Sequence, residues 1–171
     1  MKKLFVVLLM AVAFCGSAEA QKGMMGVGVN ANGFISFDGD EVAPGLGVKF
    51  QYNLSDYFRI EPSFTYSFTS GLNKVYTMTA LANMHFFFSA PKAFRPYFIL
   101  GGGFGLFRRN YKTYSFSYSD EEGLFVLNGG LGLDWRLSHN LSLQTEFGSI
   151  YGFGEESSFG LRANIGLSYN F

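Results

Sequence analysis

The chain has 171 residues, 13 of them basic and 13 acidic, a single cysteine, and 19% aromatic residues beside only 15% charged ones. Balanced charge gives no electrostatic case for nucleic-acid binding, and one cysteine excludes an intrachain disulfide or a thiolate metal cluster. The length suits one domain, and after the first residues no apolar stretch approaches the roughly 20 that a membrane helix needs.

The first element is a processing segment. Met1, Lys2 and Lys3 form a basic start, residues 4–14 are an unbroken apolar run, and Ala18 and Ala20 put small residues where a signal peptidase reads. The pattern predicts a cleaved secretory signal over 1–20 and one domain over 21–171. Cys15 leaves with the signal. Without Lys2, Lys3 and Glu19 the 13 basic and 13 acidic residues fall to 11 and 12, a net charge of −1.

From there the chain alternates. Over 24–31, Met25, Val27 and Val29 stand opposite Gly26, Gly28 and Asn30. A second strand sets Leu46, Val48, Phe50 and Tyr52 against Gly47, Lys49 and Gln51. A third sets Phe58, Ile60, Phe64, Tyr66 and Phe68 against Arg59, Glu61, Ser63, Thr65 and Ser67. Pro62 lies inside it and cannot donate a ladder hydrogen bond, which predicts a local bulge. The fourth, 76–87, places Met78, Ala80, Ala82, Met84 and Phe86 opposite Thr77, Thr79, Asn83 and His85. The fifth, 97–107, is so rich in glycine and phenylalanine that no face can be assigned.

The sixth strand sets Leu127, Leu131, Leu133 and Trp135 against Asn128, Gly130, Gly132, Asp134 and Arg136; the seventh sets Leu141, Leu143 and Phe147 against Ser142, Gln144 and Glu146. The eighth runs Phe159, Leu161, Ala163, Ile165, Leu167, Tyr169 and Phe171 on one face, with Gly160, Arg162, Asn164, Gly166, Ser168 and Asn170 on the other. Period-two patterning of this kind belongs to strands that face two different solvents. Eight such strands predict an all-β, eight-stranded antiparallel up-and-down transmembrane β-barrel, with aromatics facing lipid.

The connections alternate in length: 53–57, 89–95 and 138–140 are short, whereas 32–44, 108–123 and 149–158 are longer and 69–75 is intermediate. With the N-terminus in the periplasm, the longer loops all fall outside, as such barrels require. In the loop over 108–123, the third external one when 69–75 is counted, Tyr114, Phe116 and Tyr118 alternate with hydroxyl residues. They predict a hairpin above the membrane with its tip at 120–123, and they are the candidate contact residues for a surface partner.

Two constellations remain. Lys49, Arg59, Arg136 and Arg162 share the polar faces with Glu61, Asp134 and Glu146. In an eight-stranded barrel they predict a buried salt-bridge network that plugs the lumen, with a narrow pore as the alternative. Asn164, Gly166, Tyr169 and Phe171 form a C-terminal strand ending on an aromatic. It resembles the terminal signal by which outer-membrane barrels are read by their insertion machinery.

With these ends and this patterning, the chain resembles the small OmpA/OmpX-like outer-membrane barrels. The resemblance implies a filled polar interior, residence in the outer membrane of a Gram-negative envelope, and lipid and the insertion machinery as partners. It carries no catalytic motif. A lipid-modifying enzyme would need a base beside a nucleophile. His85 is the only histidine away from a tight turn, with Thr77, Thr79 and Ser142 the nearest hydroxyl candidates. The acidic loop residues lack an EF-type spacing. The expectation is a non-enzymatic barrel without cofactor or metal, structural or in contact with a surface; a narrow porin-like channel is the alternative.

Overall fold

The computed structural model describes residues 22–36, 42–68, 73–113, 116–154 and 157–171. Eight strands occupy most of them: β1 (Met25–Ser36), β2 (Val42–Asn53), β3 (Phe58–Phe68), β4 (Asn73–Phe87), β5 (Phe94–Thr113), β6 (Phe116–Arg136), β7 (Leu141–Phe153) and β8 (Ser158–Asn170). Each pairs antiparallel with its neighbours in chain order, and β8 closes on β1. The expected eight-stranded up-and-down barrel is therefore the fold. Closure is completed at the seam, where Met25 N donates to Phe171 O at 3.0 Å and Phe171 N donates to Met25 O at 2.8 Å.

The register fixes the barrel's girth and tilt. Successive partners run from Met25 through Tyr52, Ile60, Met84, Leu100, Gly129, Ser149 and Leu161, and return to β1 at Ile35. The circuit climbs from position 25 to position 35, a shear of ten residues. For eight strands with ordinary rise and spacing, that corresponds to a tilt of about 40°. Such a barrel has an interior only wide enough for side chains.

The two faces follow the parity seen in the sequence. Val27, Val29, Val48, Leu100, Leu131, Ile165 and Leu167 are exposed on the outside. Aromatic rings flank this apolar zone. Phe58 with Phe86 and Phe94 with Trp135 lie at the end that holds the termini; Tyr66 with Tyr76, Phe104 with Phe125 and Tyr151 with Phe153 lie at the far end. This is the lipid-facing band with two girdles that a membrane barrel carries. Residues 97–107 also resolve: Tyr97, Ile99 and Phe107 point inward, Phe98, Leu100, Phe104 and Leu106 outward.

Three expectations are corrected. No bulge forms at Pro62. Lys49 pairs with Ser63 and Tyr52 with Ile60 in one register, so the β2–β3 ladder skips Phe50 and Gln51 without an inserted residue, while Pro62 stays opposite Ala82 of β4. The missing N–H falls on the β2 side and costs ladder bonds rather than geometry. The longer loops are shorter than expected, because β1 runs to Ser36, β2 begins at Val42, β7 runs to Phe153 and β8 begins at Ser158. Ladder pairing there satisfies backbone groups that a loop would leave to water.

The tip of the β5–β6 hairpin is also misplaced by the sequence reading. Pairing continues to Thr113 opposite Phe116, so residues 120–123 lie within the β6 ladder and are not the hairpin tip. The register sets Glu121 opposite Arg108 and Asp120 opposite Arg109. The acidic run that reads as a solvated turn therefore lies inside the β6 ladder, in register with Arg108 and Arg109. Residues 1–21, with Ala18 and Ala20, lie outside the described residues, as does Tyr114. Phe116 and Tyr118 lie on β6, and their side chains are outside the description.

Candidate functional site

The inward positions of all eight strands converge on one lumen, and its half nearest the termini is densely polar. Asp134 of β6 is the first centre. Arg59 Nη2 and Arg95 Nη2 both donate to its Oδ2, at 3.0 and 2.8 Å, and Arg59 Nε donates to Asn53 Oδ1 at 2.9 Å. Both guanidiniums lie over the Phe87 ring, that of Arg95 3.9 Å and that of Arg59 4.8 Å from its centroid. Charge, hydrogen bonds and cation–π contact close this cross-section.

A second layer lies above it. Lys49 Nζ donates to Gln144 Oε1 and stands 3.5 Å from Glu61 Oε2. Gln51 Nε2 bridges three acceptors: Glu61 Oε2 at 2.7 Å, Gln144 Oε1 at 2.9 Å and Ser168 Oγ at 3.1 Å. Across the lumen, Glu146 accepts from Tyr97 OH at 3.0 Å on Oε1, and from Asn164 Nδ2 at 2.8 Å and Arg162 Nη2 at 3.4 Å on Oε2. His85 lies between the two carboxylates, its ring stacked on Tyr97 with centroids 4.6 Å apart. One donor atom from each of Glu61, His85 and Glu146 lies within 4.8 Å of the others. These three are the described residues that could hold a metal ion.

Small residues make room for this packing. Gly166 faces Lys49, and a Cβ on it would come within 2.7 Å of the lysine Nζ. Gly132 faces the Tyr97 ring, which already fills the space a Cβ would need.

The far half of the lumen is different. Leu81, Leu124 and Val126 are buried together, with Phe107 and Ile150 packed against them. Beside them lies a cavity of about 40 Å³ lined by Phe34, Ala43, Thr79, Phe107 and Arg162 among others. The interior is thus densely charged toward the termini and mixed toward the other end, where this apolar cluster stands beside Asn32, Ser67, Thr77 and Ser158.

Of the residues singled out in the sequence, Lys49, Arg59, Glu61, Asp134 and Glu146 are buried in the lumen, while Arg136 and Arg162 are half-buried on the same face. Asn164 and Gly166 of the C-terminal strand also face inward, whereas Tyr169 and Phe171 are exposed on the outer face. Arg95, Tyr97 and Phe87 were missed. Arg95 fell in an expected turn, and the two aromatics resemble lipid-facing residues when only the sequence is read. Thr77 and Thr79 stand with the far-end cavity and Ser142 accepts from Asn170, so none of these three hydroxyls is hydrogen-bonded to His85.

Comparison with known proteins agrees with this architecture. The model of the outer membrane protein beta-barrel domain matches residues 5–171. No curated protein matches the chain. The chain is similar to the N-terminal β-barrel domain of OprF from Pseudomonas aeruginosa: 18% identity, TM-score 0.57, covering 90% of this chain and 100% of that one. It is similar to Ail, the attachment invasion locus protein of Yersinia pestis, at 16% identity and TM-score 0.63, covering 88% and 99%. A major outer membrane protein from Thermus thermophilus shares 11% identity at TM-score 0.66, covering 86% and 99%. At these identities the likeness is one of fold.

Proposed function

The chain belongs to the outer-membrane β-barrel family, and from that premise we propose that it is a non-enzymatic barrel of the bacterial outer membrane that holds the β5–β6 hairpin above the surface for contact with a partner. In this reading residues 1–20 are a removed signal, residues 21–171 form the mature barrel, both termini face the periplasm, and Tyr169 and Phe171 serve the insertion machinery.

The observation that carries the reading is the length of one hairpin over a filled lumen. β5 and β6 have 20 and 21 residues, against 11 to 15 in the other six strands. A tilted strand crosses a bilayer in about 9–11 residues. The outward apolar positions of β5 end at Leu106, and the next, Arg108, is exposed. From Arg108 to Thr113 the ladder therefore stands clear of lipid, by roughly 12 Å at a tilt of about 40°. A plugged lumen leaves this raised ladder, with Tyr111, Phe116 and Tyr118 on it, as the part of the molecule built to meet something else.

The test replaces residues 110–119 with Asn-Gly, a two-residue turn that keeps Arg109 opposite Asp120. Cells displaying this variant should hold as much folded barrel as wild type but lose attachment to host-cell or matrix-coated surfaces. Equal attachment by both strains would remove the hairpin as the contact element.

A further inference from the structure

The lumen network uses most of its polar atoms on one another, and His85 is a conspicuous exception. It is wholly buried, and among the described residues neither ring nitrogen has a hydrogen-bond partner. Its Nε2 stands 3.8 Å from Glu61 Oε1 and 3.9 Å from Glu146 Oε1. These separations are too long for hydrogen bonds. They are close to what a shared central ion requires: donors about 2.1 Å from a zinc ion stand roughly 3.4–3.6 Å from one another. The other oxygen of each carboxylate is already taken, by Gln51 and Lys49 on Glu61 and by Asn164 and Arg162 on Glu146. Those contacts hold each carboxylate with Oε1 turned toward His85. Tyr97 OH, bonded to Glu146 Oε1, lies at the same point.

We propose that Glu61, His85 and Glu146 form a lumen site for one divalent transition-metal ion of the zinc type. One imidazole nitrogen with two carboxylate oxygens suits zinc and its first-row neighbours. Calcium and magnesium prefer all-oxygen cages, and copper(I) prefers sulfur. The three residues come from β3, β4 and β7, so the ion ties β7 to the opposite wall and would add to the barrel's stability. Lys49 opposes binding, because its ammonium already faces Glu61. Arg59, Arg95, Arg136 and Arg162 add further positive charge to the same lumen. The site therefore binds more weakly than a closed four-ligand structural zinc centre.

The test folds the full barrel into detergent with Zn²⁺ present and removes excess ion. Bound metal per folded chain is then counted and its affinity read by competition with a chelating dye. All samples carry His139→Asn, so that the exposed turn histidine does not contribute, and heat-modifiable gel migration reports folding. The expected result is one zinc per barrel. His85→Phe, which keeps a ring against Tyr97, and Glu61→Gln should each weaken binding at least about tenfold, and Lys49→Met should tighten it. Either variant alone suffices if the other does not fold. No bound zinc in the folded parent, or an affinity unchanged across the variants, would overturn the site.

Discussion

Tyr97 and Gly132 are register partners across β5 and β6, and the tyrosine ring occupies the space that a Cβ on Gly132 would fill. The glycine therefore holds the ring flat against His85 and its hydroxyl on Glu146. Gly132→Ala should push the ring away and destabilise the barrel by about 1–3 kcal/mol, the usual cost of overpacking. Urea unfolding in lipid vesicles measures it. In a Tyr97→Ala background the same substitution should cost little, because the obstruction has gone. Equal costs in both backgrounds would show that Gly132 matters for another reason.

Asp134 receives two buried guanidiniums on one carboxylate oxygen. Asp134→Asn keeps the shape but removes the charge, leaving Arg59 and Arg95 close together without a counter-ion. The expected loss is about 3–5 kcal/mol, as for breaking a buried pair from one side. Arg162→Ala should cost much less, since that side chain is 14% exposed and 3.4 Å from Glu146. The comparison is read from urea midpoints of the two variants, and similar midpoints would contradict the weight placed on Asp134.

The outer face was legible in the sequence because lipid and lumen impose opposite demands on alternate residues, as along β8. The same rule failed over 97–107 because Tyr97 and Ile99 pack inward with Phe87, and Phe107 packs inward against Leu81, Leu124 and Val126, so apolar residues stand on both faces there. Arg95 was hidden by its place at the start of β5, where alternation has no run to establish it. The approach of His85 to Glu61 and Glu146 depends on closure. Glu61 is on the strand next to His85, but Glu146 is on β7, across the barrel, and no linear spacing encodes that meeting. The hairpin tip was misread because residues 120–122 resemble a solvated turn until register sets Asp120 and Glu121 opposite two arginines.

Phe171 joins two roles that one substitution separates. Its backbone closes the seam with Met25, while its side chain, 60% exposed, faces lipid. Phe171→Ala keeps the backbone bonds and removes the ring. The folded amount in the outer membrane should fall several-fold, while spontaneous folding into detergent proceeds as in wild type. A parallel loss in detergent would assign the residue to the barrel's own stability rather than to recognition by the insertion machinery.

Conductance distinguishes a plugged barrel from a narrow channel, and the structure places two barriers in series. Toward the termini, Arg59, Arg95, Asp134 and Phe87 fill the cross-section. Toward the other end, Leu81, Leu124 and Val126 form a buried apolar cluster on the β4–β7 wall, with Phe107 and Ile150 packed against it, beside a cavity of only about 40 Å³. Folded wild-type protein should therefore pass no current in a planar bilayer. Glu61→Ala should remain silent as well, because loosening the polar layer leaves the apolar one in place. A steady current in wild type would make the lumen a path for solutes. A current that appears only in Glu61→Ala would mean that the polar network alone holds the barrel shut.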